Sequence, residues 1–226
     1  MTMPSKYYPF DSETLKEPLD ERWAARRKAA DATRRLIENL VNTKASVEEL
    51  EQLAEAISFQ ADNLEKQPMA KGRFDSTDAV AFEQKTISEL SYELNPVEGK
   101  SNPLAPPLNI WMDDEGVYGK TMLGWQYEGP PNTVHGGYVA ALFDQFLGIG
   151  QKITGHPGVT GQMSVKYLKP TPLNTELTFQ GRLKESEGRR IIMTAEILAN
   201  GAVTATAECL FIRINAEAFK RMKEGT

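Results

Sequence analysis

The chain has 226 residues, of which 40% are hydrophobic and 25% are charged, as in ordinary soluble globular proteins. Its formal charge of −5 at pH 7 argues against nucleic acid or an anionic membrane surface as a partner. A single cysteine, Cys209, excludes an internal disulfide framework and is typical of a reducing compartment.

The beginning of the chain has no feature of a targeting or membrane segment. Residues 1–12 have the composition of an irregular lead-in without the apolar run of a secretory signal. No stretch elsewhere approaches the roughly 18 apolar residues of a membrane span. We therefore expect a cytoplasmic protein with no membrane partner.

Two helices are predicted in the first 70 residues. The first extends from about Pro18 to Asn42, and the second begins at the capping box of residues 46–49 and ends before Pro68. Apolar residues recur at spacings of three and four in both, so we expect a helical hairpin whose apolar stripes lie on another surface. A packed extension is the simplest role for this hairpin. A lid over a substrate tunnel and an oligomerisation arm are the alternatives.

The same hairpin is not expected to read DNA. Between Asp11 and Lys66 there are 13 acidic residues and 9 basic ones, whereas a helix pair that enters a groove is basic. A third helix is possible at Asp78–Leu94, and several Asn-Pro and Glu-Gly pairs then interrupt the chain. We place the domain boundary near Ser101, which gives a helical extension at 1–100 and a main domain at 101–226.

The main domain has the pattern of an antiparallel sheet. Two short strands flank an acidic turn, four long strands follow a central apolar segment, and Asn200-Gly201 between the last two is typical of a type I′ hairpin. We interpret the four long strands as connected by hairpins and the final residues, 215–224, as a short polar helix. The predicted strands are Leu108–Met112, Val117–Leu123, Val159–Leu168, Thr175–Lys184, Arg189–Ala199 and Ala202–Ile214.

The central segment begins at His135-Gly136-Gly137 and continues as a helix of about four turns that is apolar on nearly every face. We expect it to be buried all round, so that the sheet curves about it in an α+β fold. Its only ionisable carboxylate is Asp144, and a buried carboxylate is costly unless it has a use. Glycines at a helix start leave unpaired N–H groups accessible to an oxyanion.

Val134-His135-Gly136-Gly137, followed by Ala140 and Asp144, resembles the signature of the PaaI-like group of hotdog-fold acyl-CoA thioesterases. The preceding Glu-Gly-Pro-Pro at 128–131 is similar to the branch that contains the animal mitochondrial enzymes. The resemblance covers about residues 100–214. It implies a hotdog fold, with an antiparallel sheet wrapped around one long central helix, and hydrolysis of acyl-CoA without a cofactor or a metal.

The resemblance also implies roles for individual residues. The N–H of Gly136 would polarise the thioester carbonyl, and Asp144 would be the nucleophile or the general base. Thr160 would orient the attacking water or the carboxylate; the alternative is an ordinary strand threonine. His135 is either a further base or a residue that only fixes the loop. We expect Cys209 to be a core residue.

Further residues are candidates for substrate binding. The family binds CoA at the turn where this chain has Gly188, and adjacent strand residues point to opposite faces, so at most one of the two arginines after it would face the ligand. Asn132 could bond the carbonyl or the water, although related thioesterases often carry an asparagine at the position of Gly129. The substrate-binding candidates are Asn132, Gly137, Tyr167, Gly188, Arg189 and Arg190.

Geometry adds an expectation about assembly. Gly136 and Asp144 are eight helical residues apart, or about 12 Å at about 1.5 Å per residue, and cannot reach one carbonyl carbon from the same chain. A site that uses both must combine two subunits about a two-fold axis, so we expect a homodimer or a dimer of dimers. An enoyl-CoA hydratase and a non-catalytic acyl-CoA sensor are the alternative functions.

Overall fold

The computed structural model describes residues 17–18, 20–69, 93–106, 108–113, 115–156 and 158–214. The predicted lead-in, the predicted C-terminal helix and all but the last two residues of the predicted third helix lie outside these ranges. Among the described residues, no helix is long and apolar enough to span a membrane.

The two N-terminal helices are confirmed. Helix α1 spans Glu21–Asn42 and begins at Asp20, whose carboxylate accepts a hydrogen bond from the backbone N–H of Trp23. Helix α2 spans Val47–Glu65, and Ser46 and Glu49 form the reciprocal hydrogen bonds of the predicted capping box. The start signals in the sequence therefore locate both helices because capping is a local interaction.

The two helices differ in how they pack. Helix α1 buries Trp23 and Ala30 against the main domain, and the buried guanidinium of Arg34 donates to the carbonyls of Lys100 and Asn102. Helix α2 buries none of its residues. The expectation that both apolar stripes are covered is therefore wrong for α2 within one subunit.

The main domain is a six-stranded antiparallel sheet in the order β1-β2-β4-β5-β6-β3. Both residues of the Asn200-Gly201 turn have positive φ, 51° and 77°, as a type I′ turn requires. The strands are β1 Asn109–Met112, β2 Val117–Met122, β3 Gly158–Tyr167, β4 Glu176–Glu187, β5 Arg190–Ala199 and β6 Ala202–Arg213.

One predicted connection is wrong. Strand β3 does not form a hairpin with β4; it pairs with β6 at the opposite edge of the sheet from β1. The linker after β3 instead contacts the loop before the central helix, where Val134 N–H donates to the carbonyl of Thr171 and Thr133 bridges to Pro172. These long-range backbone contacts fix the path of the linker, which crosses the domain from the edge strand β3 to the start of β4.

The central helix α3 spans Gly136–Gly150, close to the predicted four turns. One side of it packs on the inner face of the sheet through Val139, Leu142, Phe143, Phe146, Leu147 and Gly150. The other side is only partly covered, since Gly137 is exposed and Ala140, Asp144 and Gly148 are half-buried. The prediction of a helix buried all round is therefore wrong for a single subunit, because one sheet covers only one side.

Candidate active site

The start of α3 leaves one backbone donor unused. The Nδ1 atom of His135, the N-cap residue, accepts a 3.0 Å hydrogen bond from the N–H of Gly137, and its carbonyl accepts from the N–H groups of Tyr138 and Val139. Within the described residues the N–H of Gly136 has no acceptor. Of the four donors that a helix start leaves free, only the one on Gly136 is therefore available to a ligand.

The atoms nearest to a Cβ on Gly136 belong to one aromatic side chain, that of Tyr167. The hydroxyl of Tyr167 donates a 2.9 Å hydrogen bond to the carbonyl of Gly136. A Cβ atom built on Gly136 would lie 3.5 Å from the nearest atoms of that ring, which is an ordinary van der Waals distance. Packing within the subunit therefore tolerates an alanine here, and a requirement for glycine must arise from something that approaches from outside.

The carboxylate of Asp144 is held by the next strand. The hydroxyl of Thr160 donates a 2.8 Å hydrogen bond to Oδ1 of Asp144, which brings together two of the predicted catalytic residues. The carboxylate is half-buried rather than fully buried, contrary to the expectation from the apolar sequence around it. Oδ1 is oriented by the hydroxyl, and Oδ2 has no hydrogen-bond partner among the described residues.

Because of a β-bulge, side chains near both ends of β3 point to the inner face of the sheet, where α3 lies. Tyr167 and Met163 pair with Ala205 and Cys209, which are buried on the inner face. Strict alternation would turn Thr160, seven residues before Tyr167, to the outer face. The register shifts between Thr160 and Gln162, so the extra residue returns Thr160 to the inner face.

Cys209 is fully buried and borders the Asp144–Thr160 pair, and its assignment to the core is confirmed. Burial raises the pKa of its thiol to about 12, the negative charge of Asp144 adds to the increase, and a hydrogen bond with Thr160 opposes it. Because a thiolate is the reactive form of cysteine, this side chain is not a nucleophile at neutral pH.

The loop before α3 contains Asn132 and Gly129, which differ in the space available to a side chain. Asn132 adopts a left-handed conformation, φ 60°, and its backbone N–H donates to Glu128 across 2.6 Å, while its side chain is exposed. A Cβ atom on Gly129 would lie 2.7 Å from Cα of His135, so no side chain fits there. This close approach is a physical reason for glycine at position 129 in this chain.

The turn between β4 and β5 lies at the same end of the sheet as Thr160, since Arg190 pairs with Ile212 and Ile212 with Val159. Gly188 supplies the left-handed residue of this turn, φ 52°. The Arg190 side chain is on the outer face, because the next residue, Ile191, is buried on the inner one.

Arg213, which the sequence analysis did not select, holds this turn in shape. It donates to the carbonyl of Gly188 across 2.9 Å and to the hydroxyl of Ser186. Nothing in the sequence distinguishes this half-buried arginine from the exposed arginines of other strands. His156 is exposed, and the described residues contain no group of three His, Cys, Asp or Glu side chains that could hold a metal.

The chain is similar to known proteins over this site. The model of the thioesterase superfamily matches residues 131–208. The crystal structure of protein RHA08564, described as a thioesterase superfamily protein, is 32% identical, covers 83% of this chain and 94% of its own, and superposes with a TM-score of 0.68. The chain therefore belongs to the thioesterase superfamily, and the predicted α+β hotdog fold is confirmed.

Two curated relatives are more distant. The acyl-coenzyme A thioesterase THEM4 of Xenopus laevis is 28% identical over 89 residues, and that of Mus musculus is 29% identical over 96 residues. These alignments cover 38% and 42% of this chain. They span only 40% and 41% of the length of the two relatives.

Proposed function

We propose that this chain hydrolyses acyl-CoA thioesters to the free acid and CoA, at a site shared by two subunits. The unused N–H of Gly136 is the observation that carries the proposal, together with the carboxylate of Asp144 on the same uncovered side of α3. A developing oxyanion needs the first group, and activation of water or direct attack needs the second. The two relatives named acyl-coenzyme A thioesterase support this class of substrate.

The reaction begins with the thioester carbonyl oxygen at the N–H of Gly136. Asp144 takes a proton from water through Oδ2, and the hydroxide adds to the carbonyl carbon to form a tetrahedral oxyanion. When this intermediate collapses, the C–S bond breaks and the departing CoA thiolate takes the proton. In the alternative course Asp144 itself attacks, CoA leaves, and water hydrolyses the resulting anhydride. Thr160 holds Oδ1 in both courses.

The sharing of the site follows from distance. Gly136 and Asp144 are eight helical residues apart, which is about 12 Å at about 1.5 Å per residue. Gly136 of one subunit must therefore act together with Asp144 of a second subunit. Two features support an assembly of this kind. One edge of β3 is unpaired within the described sheet, and natural proteins rarely leave a strand of ten residues uncovered. The uncovered side of α3 lies beside it.

The CoA end is assigned to the turn between β4 and β5. Arg189 lies in this turn and is exposed, and its guanidinium suits a phosphate. Arg190 faces the outer side of the sheet, so Arg189 is the arginine that we assign to the ligand. Tyr167, beside Gly136, would contact the acyl end of the substrate near the thioester.

Release of free thiol from a panel of acyl-CoA esters tests this proposal. The wild-type protein should release CoA from at least one ester, and Asp144→Asn, which is nearly isosteric, should lose most of this release while it remains folded. Asp62→Asn, on the exposed helix α2, is the matched control and should release CoA at the wild-type rate. Undiminished release by the Asp144 variant would overturn the mechanism. Binding of every ester without any release would identify a sensor instead.

A further inference from the structure

The connecting segment, from Glu93 to Asn102, is a polar link between helix α1 and the main domain. The carboxylate of Glu93 is fully buried and pairs with Arg27 of α1 across 2.7 Å. The buried guanidinium of Arg34, also on α1, donates to the carbonyls of Lys100 and Asn102 across 3.1 Å and 2.8 Å. Helix α1 therefore holds the connecting segment at both of its ends.

The connecting segment also fixes the orientation of one of its own side chains, Asn95. The Oδ1 atom of Asn95 accepts hydrogen bonds from the backbone N–H groups of Val97 and Glu98, across 2.7 Å and 3.2 Å. Its backbone carbonyl accepts from the N–H of Gly99. Because two donors occupy Oδ1, the side-chain amide cannot be turned over, and Nδ2 must be the atom that points away from the segment.

The Nδ2 atom of Asn95 contacts α3 beside Asp144. It donates a 2.8 Å hydrogen bond to Oε1 of Gln145, the residue that directly follows Asp144 on the helix. Asn95 is only 6% exposed, so its amide N–H would be costly to leave unpaired. Successive helix residues point about 100° apart, and Thr160 bonds Asp144 from β3. The two hydrogen bonds therefore reach α3 from different sides.

The rotation of α3 about its axis depends on such directional contacts. The buried residues of α3 are all apolar and face the sheet, while the opposite side is only partly covered within the subunit. Hydrophobic contact has no direction, whereas a hydrogen bond restricts both distance and angle. A reacting group must be held within about 0.5 Å and 10–20° by neighbours that are themselves fixed. The bond from Asn95 meets this requirement, because Asn95 is itself fixed by the connecting segment.

We infer that Asn95 is a positioning residue for the reaction. Through Gln145 it fixes the rotation of α3 and hence the direction of the Asp144 carboxylate. The inference rests on the proposed function, since it concerns how this carboxylate is held for catalysis. It also gives the N-terminal extension a role, because α1 anchors the connecting segment. The extension braces α3 and need not contact the reacting atoms.

Variants that break or keep this hydrogen bond test the inference. Gln145→Met has similar length and helix propensity but no strong acceptor for Asn95, so kcat should fall about tenfold while KM changes little. Asn95→Asp keeps one oxygen for the backbone of the segment, and the Gln145 amide can turn and donate to the other. This variant should keep most of the wild-type kcat. Gln60→Met, on the exposed helix α2, is the matched control and should behave as the wild type.

A double-mutant cycle distinguishes positioning from general damage. Thr160→Val removes the other contact that orients Asp144, so in this background Gln145→Met should lower kcat by less than about twofold. Independent structural effects would multiply instead. A full tenfold loss in both backgrounds would therefore overturn the inference, and so would a wild-type kcat in the single variant Gln145→Met. Circular dichroism checks that each variant is folded.

Hydrogen–deuterium exchange tests the brace without an activity assay. The backbone N–H groups of α3 should exchange several-fold faster in Gln145→Met than in the wild type or in Asn95→Asp. Unchanged exchange would overturn the inference even where turnover falls. If the wild-type protein releases no thiol from any ester, the proposed function is wrong, and the exchange rates still decide whether the bond from Asn95 holds α3.

Discussion

Thr160 donates a 2.8 Å hydrogen bond to Asp144, although the two residues lie sixteen positions apart on a strand and a helix. The bond exists because the bulge after Thr160 turns its side chain to the inner face of the sheet. Since the hydroxyl occupies Oδ1, it fixes the direction of the other carboxylate oxygen. Orientation of the carboxylate is therefore a property of strand register as well as of residue type.

The first prediction removes this hydrogen bond. Thr160→Val keeps the shape of the side chain and should lower kcat by about one to two orders of magnitude, because a hydrogen bond to a charged group contributes about 1.5–3 kcal/mol. Thr160→Ser retains the hydroxyl and should keep most of the turnover. Steady-state thiol release measures both variants, and equal rates for valine and serine would show that Thr160 is only a strand residue.

The second prediction concerns the unused backbone donor. Gly136→Ala should fold normally, because the atoms nearest to its Cβ would be those of the Tyr167 side chain, at an ordinary distance of 3.5 Å. The methyl group should nevertheless obstruct the thioester carbonyl and lower turnover by about two to three orders of magnitude, comparable to the loss of an oxyanion donor.

Gly148→Ala provides the matched control for this change. A Cβ atom at Gly148 would have no neighbour within 4 Å, and glycine in a helix interior costs about 0.5–1 kcal/mol relative to alanine. The control should therefore fold and be slightly more stable by thermal unfolding, and it should be active where it still assembles like the wild-type protein, since Gly148 lies on the same uncovered side of α3 as Asp144. If both variants lose activity to the same degree, general damage to α3 explains the loss and the role of Gly136 is not supported.

The third prediction separates the two roles of His135. Its Nδ1 accepts the Gly137 N–H, so the neutral ring carries its proton on Nε2 and has no second acceptor. His135→Asn preserves an N-cap acceptor and should keep most of the turnover and stability. His135→Ala should lower the free energy of unfolding by about 1 kcal/mol. Strong loss of kcat in the stable Asn variant would assign a chemical role to His135.

The fourth prediction uses the thiol. Burial raises the pKa of Cys209 to about 12, so the folded protein should resist alkylation at pH 8 and react quickly once unfolded. Because the folded-state pKa lies above the ordinary value, ionisation favours the unfolded chain, and stability should decline as the pH rises above about 9. Cys209→Ser removes the ionising thiol and tests this decline; an unchanged pH profile would contradict the assignment.

Local signals in the sequence predicted much of the fold. The capping box at Ser46 located the start of α2, and Asn200-Gly201 located the tight turn between β5 and β6. The candidate residues His135, Gly136 and Asp144 were also found locally, since they belong to one helix and its cap. Interactions of this kind depend on residues within a few positions of each other, so they can be recognised from one sequence.

Long-range features were missed for the corresponding reason. The pairing of β3 with β6 and the bulge after Thr160 depend on strands about fifty residues apart in the sequence. The apolar pattern of α2 predicted a covered helix, but none of its residues is buried. Burial depends on which distant part of the chain packs on the helix, and the local pattern does not specify that part. The anchoring of α1 through Arg34 also escaped notice, because a buried arginine is identical in sequence to an exposed one.

The last prediction tests the shared site through complementation. Asp144→Ala and Gly136→Val should each be inactive alone, since both sites of either dimer carry a defect. When the two proteins are unfolded and refolded together, some dimers contain one chain of each. In such a dimer one site combines both defects, and the other combines an intact Gly136 with an intact Asp144 from different chains.

Activity should therefore return on mixing. With equal amounts of the two proteins, half of the dimers are mixed and each has one intact site, so roughly a quarter of the wild-type turnover is expected from symmetry. Refolding either variant alone is the control and should restore nothing. The proportion of mixed dimers can be measured by tagging one variant, so failure to assemble is distinguished from failure to react. If mixed dimers form and stay inactive, Gly136 and Asp144 do not act together across subunits, and the proposed mechanism is wrong.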